Sequence, residues 1–274
     1  MAAPNGPSDQ AAGRVDPADA ESVLGLFASI CDRAAAILSD NRDWSMSGAR
    51  ETQYAIDVAI DAACLDMLHQ AGFAVLSEES GITAPNGDAD VATTAVVVVD
   101  PLDGSTNASL GLPWCATALC LVIDGIPAVA MVTNLATGVR YSAIRGRGAT
   151  CDGQAMVASV GPALHDAIIA VNARPPAEFR PAQFRCMGAT ALDIASVAGG
   201  GGFDGSVDFD DDKIGVWDYL AAVMILREAG GVAADALGRD LMTLDHAARR
   251  RPVTASSVSL LEELLALVSP SVGD

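Results

Sequence analysis

Positively charged residues are scarce in this chain. Its 274 residues include 16 Lys and Arg against 35 Asp and Glu, which gives a net charge of −19. Lys213 is the single lysine. Proteins bind nucleic acids and anionic membranes through basic surfaces, so the composition argues against both kinds of partner. A coding bias toward G and C explains the acidic excess most simply; a salt-adapted surface and local cation binding are the alternatives.

Histidine is also rare, and the cysteines form no metal-binding motif. Three histidines leave little room for histidine-based metal ligation or for a Ser-His-Asp triad. The six cysteines are scattered and none forms a Cys-x-x-Cys pair, so a structural zinc site is not expected. A cytoplasmic protein with buried thiols is the simplest interpretation.

Long uninterrupted apolar runs are missing as well, and no secretory signal is predicted. Apolar stretches such as 95–99 and 116–123 have the length of buried strands, so no membrane-spanning segment is predicted. The first 16 residues lack both a charged n-region and an apolar h-region. The 51% hydrophobic content nevertheless allows a full buried core.

Hydrophobic periodicity divides the chain into three parts. Two amphipathic helices are predicted first, and a strand-rich meander with antiparallel pairing follows, because Gly-containing turns separate its apolar runs. Strands and helices alternate after residue 161. The predicted helices are Ala18–Leu38, Glu51–Gln70, Thr190–Val197, Trp217–Ala229 and Ser256–Val268. The predicted strands are Phe73–Leu76, Thr94–Val99, Ala116–Ile123, Pro127–Asn134, Val139–Ala143, Ala167–Val171, Gly205–Phe209 and Val232–Ala234.

Residues 97–107, with the sequence VVVDPLDGSTN, form the most informative segment. A β-branched run ends at Asp100, a proline step presents Asp103, and small residues from Gly104 open a helix. Carboxylates are ligands for hard divalent cations, and backbone N–H groups at a helix start bind phosphate. The segment therefore offers a cation site beside an anion site, as metal-assisted phosphate chemistry requires. Ser105 can cap the helix, hold a nucleophilic water, or do both; an ordinary Asp- and Gly-rich turn is the alternative for the segment.

Acidic residues at three further places in the chain are candidates for the same site. Glu78 and Glu79 directly follow a strand of the buried type, so a carboxylate there can reach a metal at the end of the next strand. Asp57 lies within the second predicted helix, and Asp218 lies at the start of a later one. The alternatives are a solvated turn, a solvated helix face and a residue that stabilises the helix dipole. The neighbouring acidic run at 208–212 is interpreted mostly as a solvated loop.

In combination these motifs resemble the inositol monophosphatase-like superfamily of metal-dependent, lithium-sensitive phosphatases, which includes the fructose-bisphosphatases. The resemblance covers about residues 45–240 and follows the order of the family: EES after a strand, then DPLDGSTN, then WDYLAAVMILREAGGVAAD. It implies an α/β fold with mixed sheets, layered as an α-β-α-β-α sandwich. It also implies a homodimer.

The resemblance further implies a role for each matching residue. The implied metal ligands, for two or three Mg²⁺ ions, are Glu78, Asp100, the backbone carbonyl of Leu102, Asp103 and Asp218. The implied catalytic residues are Glu78, Asp57 and Ser105, with Asp57 pairing with Ser105 to orient or deprotonate the attacking water. The implied substrate contacts are Asp103, Gly104, Ser105, Gly188, Ala189, Thr190, Asp211 and Asp218.

The chain departs from the family pattern at three places. Ser77 stands where glycine is commoner, Ile56 stands where a small or polar residue is common, and no lysine precedes the second helix. These departures leave the metal ligands in place but put in doubt the mobile loop that helps to bind metal. They also leave the substrate preference open.

The resemblance predicts a Mg²⁺-dependent hydrolase for a phosphate monoester of a polyol or sugar, most simply inositol 1-phosphate. Fructose-1,6-bisphosphatase and histidinol-phosphate phosphatase activity are the alternatives, and a non-catalytic regulatory binding protein is a third. We predict a flexible tail at 1–15, an N-terminal α+β subdomain with the metal and phosphate site at 16–160, and a C-terminal α/β subdomain that closes the site at 161–274.

Overall fold

The structure is a computed structural model that describes residues 14–41, 43–48, 53–85, 95–199, 202–210 and 212–268. Within these residues it has six α-helices and thirteen β-strands. The helices are α1 (Ala20–Asp40), α2 (Ala55–Ala71), α3 (Ser105–Ser109), α4 (Thr190–Val197), α5 (Val216–Glu228) and α6 (Val258–Val268). The strands are β1 (Ala74–Ser77), β2 (Gly81–Thr83), β3 (Ala95–Asp103), β4 (Ala116–Ile123), β5 (Ile126–Asn134), β6 (Arg140–Ile144), β7 (Ala149–Cys151), β8 (Gln154–Met156), β9 (Ile168–Asn172), β10 (Gln183–Arg185), β11 (Gly205–Asp208), β12 (Val232–Asp235) and β13 (Pro252–Ala255).

The first sheet has eight strands in the order β2-β1-β3-β4-β5-β6-β7-β8. Only β1 and β3 pair in parallel among these neighbours, and the remaining pairs are antiparallel. From β3 onward each strand pairs with the next one in the chain, because short turns connect them. The predicted meander is therefore confirmed, and the parallel pair places the ends of β1 and β3 at one edge of the sheet.

The second sheet has five strands in the order β10-β9-β11-β13-β12. Strand β9 is parallel to both of its neighbours, whereas β13 is antiparallel to β11 and β12. The sequence pattern does not predict β13, although all four of its residues are buried. Its signal is obscured because the strand is short, begins with a proline and follows a run of arginines. The antiparallel pairs on both of its sides account for its burial.

Helices cover both sheets and fill the space between them. α1 and α2 pack on the outer face of the first sheet, α4 and α5 lie between the sheets, and α6 covers the outer face of the second. Successive side chains of β3 alternate between faces, so Val97 and Val99 point to α1 and α2 while Val96 and Val98 point to α5. The predicted α-β-α-β-α sandwich with mixed sheets is thus confirmed.

The second helix begins later than its apolar pattern predicts, at Ala55. Tyr54 forms an isolated β-bridge with Met46, and its N–H donates to the Asp57 carboxylate at 2.8 Å. Because this side chain supplies a capping acceptor, the helix starts at the residue after Tyr54. The predicted start at residue 51 lies outside the described residues.

Helix α1 meets the length and composition requirements of a membrane span, with a mean hydropathy of 1.5. The sequence predicts no such segment, because no uninterrupted apolar run reaches membrane-spanning length. Val23, Phe27, Ile30, Cys31 and Ala34 of this helix are buried in the cluster that it shares with α2 and the first sheet. These residues lie on one side of the helix, so the packing is that of an amphipathic helix against a sheet.

The chain passes from the first sheet to the second in residues 157–167. This stretch contains the subdomain boundary predicted near residue 160. The division into two subdomains stays a prediction, because the middle layer of helices packs on both sheets.

Candidate active site

The end of β3 carries two carboxylates on a strand that is buried almost throughout. The pairing of β3 with β4 shifts register between Asp100 and Asp103, which is a bulge next to a residue, Pro101, that has no N–H to donate. The Asp100 carboxylate accepts the Leu102 N–H at 3.1 Å, and the Asp103 carboxylate accepts the Ala191 N–H of α4 at 2.7 Å. The bulge therefore places both carboxylates at the same edge of the sheet, beside the middle layer.

Glu78 reaches this edge because β1 is the parallel neighbour of β3. Ser77, the last residue of β1, lies in register with Val99, and the Glu78 N–H donates to the Val99 carbonyl at 3.2 Å. The main chain of Glu78 is therefore held beside Val99, the residue that directly precedes Asp100. Parallel pairing thus brings together two acidic residues that are 22 positions apart in the chain.

Ser77 and Ser80 anchor this acidic turn to helix α2. Both hydroxyl groups donate to the carboxylate of Asp61, which is buried one helical turn after Asp57. The hydroxyl of Ser77 also accepts the N–H of Glu79 at 3.2 Å. The serine that replaces the commoner glycine therefore adds a hydrogen bond between the turn and the helix.

Asp218 enters the site from the start of α5. Its carboxylate accepts the Gly215 N–H at 2.7 Å, so it also caps the helix, as the alternative interpretation of this residue proposed. Arg249 lies near enough for its positive charge to lower the pKa of Asp218, but burial and the Asp103 carboxylate raise it more, to about 8. Asp218 therefore both caps the helix and belongs to the acidic site.

Three carboxylates converge at the edge of the first sheet. One oxygen each from Glu78, Asp100 and Asp218 can be chosen so that all lie within 4.8 Å of one another. Burial, followed by the charges of these neighbours, raises the pKa of Asp100 well above its ordinary value. Among the described residues, the buried Oδ2 atom of Asp100 has no hydrogen-bond partner. A divalent cation supplies the positive charge and the oxygen coordination that this arrangement lacks, so these residues fit a metal site.

The same carboxylates line a cavity of about 180 Å³. Its walls are formed by Gln53, Asp57, Glu78, Glu79, Asp100, Leu102, Asp103, Gly104, Ser105, Thr106 and Asp218. The structure thus places every implied metal ligand and every implied catalytic residue at one cavity. Asp103 differs from the three convergent carboxylates because its carboxylate accepts a hydrogen bond from the main-chain N–H of Ala191 at the start of α4.

Asp57 borders the cavity from the first turn of α2. Burial is the main reason that its pKa is raised to about 6; the Tyr54 N–H lowers the pKa, and the Glu79 charge raises it. Its Oδ1 atom is buried and has no hydrogen-bond partner in the part of the chain that the structure describes. Asp57 and Ser105 line the same cavity, but the structure shows no hydrogen bond between them in that part of the chain.

The start of α3 forms the opposite wall of the cavity. Gly104 precedes this helix with φ of +80°, a left-handed conformation that glycine adopts without strain. A Cβ atom here would lie 2.8 Å from the Trp114 carbonyl oxygen and 3.0 Å from the Ala189 Cβ. Glycine is therefore required at this position by both conformation and space.

Gly188 and Ala189 pack behind Gly104. Neither they nor Thr190 are among the described residues that line the cavity. Ala189 is buried, and the Thr190 hydroxyl accepts the Asn172 side-chain N–H at 3.1 Å. Their predicted contact with substrate stays a prediction. Asp211, the other predicted substrate contact outside the metal site, lies outside the described residues.

Two polar residues at the site escaped the sequence interpretation. Gln53 lines the cavity and donates its amide N–H to the Glu79 carboxylate. Asp193 is buried beside Asp103, accepts the Trp114 indole N–H at 2.8 Å, and has its pKa raised to about 7 by burial. Gln53 lies four positions before Asp57, a spacing that could have indicated it, whereas nothing in the local pattern around Asp193 indicates its burial.

A layered sandwich in which three carboxylates converge beside a glycine-opened helix is the arrangement that metal-dependent phosphate chemistry requires. The chain belongs to the inositol monophosphatase family, whose model matches residues 15–272. It is therefore a phosphatase of this superfamily, and its substrate carries a phosphate group.

Three similar proteins illustrate the relationship. The chain is 29% identical to the inositol-1-monophosphatase ImpA of Mycolicibacterium smegmatis over 93% of this chain and 95% of the relative. It is 30% identical to the Nus factor SuhB of Escherichia coli over 71% of this chain and 75% of the relative. The solved structure of a hypothetical protein from Pyrococcus horikoshii, described as similar to inositol-1 monophosphatase, superposes with a TM-score of 0.78 at 24% identity over 91% of this chain and 98% of that chain.

Proposed function

We propose that the protein is a Mg²⁺-dependent phosphatase that hydrolyses the phosphate monoester of a polyol or sugar, with inositol 1-phosphate as the first candidate. The observation that carries the proposal is the convergence of Glu78, Asp100 and Asp218 beside the start of α3. That arrangement puts oxygen ligands for cations next to backbone N–H groups that can bind a phosphate.

The residues that would hold the metal are Glu78, Asp100, Asp103, Asp218 and the carbonyl of Leu102. Their four carboxylates would balance two ions, or three with the phosphate present. Divalent cations at such a site lower the pKa of water and stabilise the charge on a transferring phosphoryl group. The unpaired Oδ2 of Asp100 and its raised pKa support this role for the cluster.

Asp57 and Ser105 are proposed to orient the attacking water. Asp57 has a buried oxygen at the cavity that no described residue hydrogen-bonds. Its pKa of about 6 means that its carboxylate can accept a proton near neutral pH. Ser105 can hold the same water through its hydroxyl. The N–H groups of Gly104 and Ser105 are proposed to hold the phosphate oxygens, with the developing charge placed at the N-terminal end of α3.

Support for inositol 1-phosphate comes from the relative named as an inositol-1-monophosphatase, which aligns with nearly the whole chain. Fructose 1,6-bisphosphate and histidinol phosphate are alternative substrates of the same reaction. The described walls of the cavity do not distinguish among these substrates. Residues 188–190, which are predicted to contact the polyol, do not line the described cavity, and residue 211 lies outside the described residues.

A regulatory, non-catalytic role is the second candidate. It is favoured by the SuhB relative, which is named a Nus factor. The complete set of acidic residues at the cavity favours catalysis instead, because a protein that acts only through surface contacts gains nothing from buried, mutually repelling carboxylates.

We also propose a cytoplasmic homodimer that is inhibited by lithium. The free state of all six cysteines supports a reducing compartment. The dimer and the lithium sensitivity rest on membership of the family.

Phosphate release from a substrate panel tests the proposed activity. Inositol 1-phosphate, fructose 1,6-bisphosphate, histidinol phosphate and adenosine 3′,5′-bisphosphate would each be incubated with the protein and Mg²⁺, with and without Li⁺. We expect Mg²⁺-dependent release that is fastest with inositol 1-phosphate and reduced by Li⁺. A preference for another member of the panel would replace the substrate, and no release from folded protein would favour the regulatory role.

A further inference from the structure

His246 is a half-buried residue beside the acidic cluster, and it belongs to none of the motifs described above. It lies in the loop between β12 and β13, about 30 residues beyond Asp218. Its Nε2 atom is 3.2 Å from the main-chain carbonyl oxygen of Glu78. A carbonyl oxygen only accepts hydrogen bonds, so Nε2 carries the hydrogen and donates it.

This contact completes the fixation of the Glu78 main chain. The N–H of Glu78 already donates to the Val99 carbonyl of β3 at 3.2 Å, next to Asp100. The carbonyl of Glu78 accepts from His246. The residue is thus held on one side by the strand of one carboxylate and on the other by a loop from the opposite sheet, which limits rotation of its peptide groups.

The same histidine is tied to the third carboxylate through Trp217. The ring centroids of His246 and Trp217 are 4.7 Å apart with an interplanar angle of 30°. The guanidinium carbon of Arg249 lies 5.0 Å from the centroid of the Trp217 ring, and its Nη1 donates to the His246 carbonyl at 2.8 Å. Trp217 is the residue directly before Asp218, so the loop packs on the helix start that carries this carboxylate.

We propose that His246 is a positioning residue for the divalent cation. It holds the main chain of Glu78 at a fixed position relative to Asp218, so that the carboxylates of Glu78, Asp100 and Asp218 keep their mutual geometry. This inference rests on the metal site of the proposed function. Because residues that orient metal ligands act before any substrate binds, loss of the hydrogen bond lowers the affinity for Mg²⁺ in the free protein.

Calorimetric titration of Mg²⁺ into the substrate-free protein tests this role. We expect His246→Ala to weaken Mg²⁺ binding about 10-fold, as is typical when an outer partner of a metal ligand is removed. His246→Phe keeps a ring against Trp217 but cannot donate, and we expect the same loss. His246→Gln keeps an N–H donor, and we expect it to restore part of the affinity. His165→Ala is the matched control, because that histidine is exposed and lies on a surface turn.

Thermal unfolding in EDTA separates positioning from a general structural effect. If His246 only supports the fold, the variants unfold at lower temperature while Mg²⁺ binding by the folded fraction is unchanged, and the inference is overturned. Equal affinities for wild type and His246→Phe overturn it as well. Absence of Mg²⁺ binding by the wild type would remove the proposed metal site itself and this inference with it, whereas wild-type binding without a variant effect would remove only the role of His246.

Discussion

Asp100 illustrates how one residue can be unfavourable for folding and suited to function. Its side chain is fully buried, and neighbouring carboxylates oppose its charge. One of its oxygens has no hydrogen-bond partner in the part of the chain that the structure describes. A buried charge without compensation is costly, and it persists in a native site where a ligand supplies the compensation. The position therefore has the physical properties expected of a metal ligand.

We expect Asp100→Asn to slow phosphate release at least about 100-fold, because the substitution removes the charge of a metal ligand and leaves the shape of the site unchanged. In EDTA the melting temperature should be equal to or higher than that of the wild type, since repulsion among the carboxylates is relieved. The measurements are steady-state rates and thermal unfolding. Asp66→Asn, at an exposed position of α2, is the control. Unchanged turnover would exclude Asp100 as a metal ligand.

At the scale of elements, the site depends on how β3 ends and α3 begins. The register shift between Asp100 and Asp103 presents the carboxylates, and Gly104 then turns the chain into the helix. The turn is tight enough that Gly104 is enclosed by the Trp114 carbonyl and Ala189. The same glycine therefore connects the cation wall of the cavity to the wall proposed to bind phosphate.

We expect Gly104→Ala to lower both stability and turnover. Its positive φ costs about 1–2 kcal/mol for a residue with a Cβ, and the contact at 2.8 Å with a backbone oxygen adds a displacement of α3. Gly125→Ala is a close control, because that glycine also has a positive φ, of +76°, but no atom within 4 Å of the added Cβ. Urea unfolding and kcat would be compared for the two variants. Equal losses of stability with no change in kcat would contradict the role of the enclosed turn.

At the scale of the whole molecule, the site lies where three layers meet. The first sheet supplies Glu78, Asp100 and Asp103, the middle layer supplies Asp218, and the outer helix α2 supplies Asp57. Burial raises the pKa of Asp218 to about 8 and that of Asp57 to about 6. The native state without metal consequently binds more protons than the unfolded state between about pH 4 and pH 8.

This difference in proton binding gives stability a defined pH dependence. A carboxyl group whose pKa is raised by folding stabilises the native state at low pH and loses that contribution as the pH rises through the folded pKa. We therefore expect a lower melting temperature in EDTA at pH 8 than at pH 5. Saturating Mg²⁺ at pH 8 should raise the melting temperature by roughly 5–10 °C.

Differential scanning calorimetry at both pH values, with EDTA and with Mg²⁺, measures the effect. The double variant Asp100→Asn with Asp218→Asn is the control, and we expect it to show a weaker pH dependence and a smaller response to Mg²⁺. A melting temperature in EDTA that increases from pH 5 to pH 8 would contradict the raised pKa values of the acidic cluster.

Local sequence determined much of the fold and the identity of the acidic residues. The β-branched run before Asp100, the turn glycines of the meander and the apolar periodicity of the helices each express a preference of neighbouring residues, so their elements appear close to the predicted positions. The motifs identify the acidic residues of the site for the same reason. Each motif is a short segment whose own residues determine where a strand ends or a helix begins.

Tertiary structure alone decided how these pieces meet. The buried strand β13, the hydrogen bonds from Ser77 and Ser80 to Asp61, and the contact of His246 with Glu78 join residues that are distant in the chain. The burial of Asp193 depends in the same way on the packing of α4. Burial and electrostatic coupling are properties of the packed layers, so the raised pKa values and the convergence of three carboxylates arise only when the two sheets enclose the middle helices.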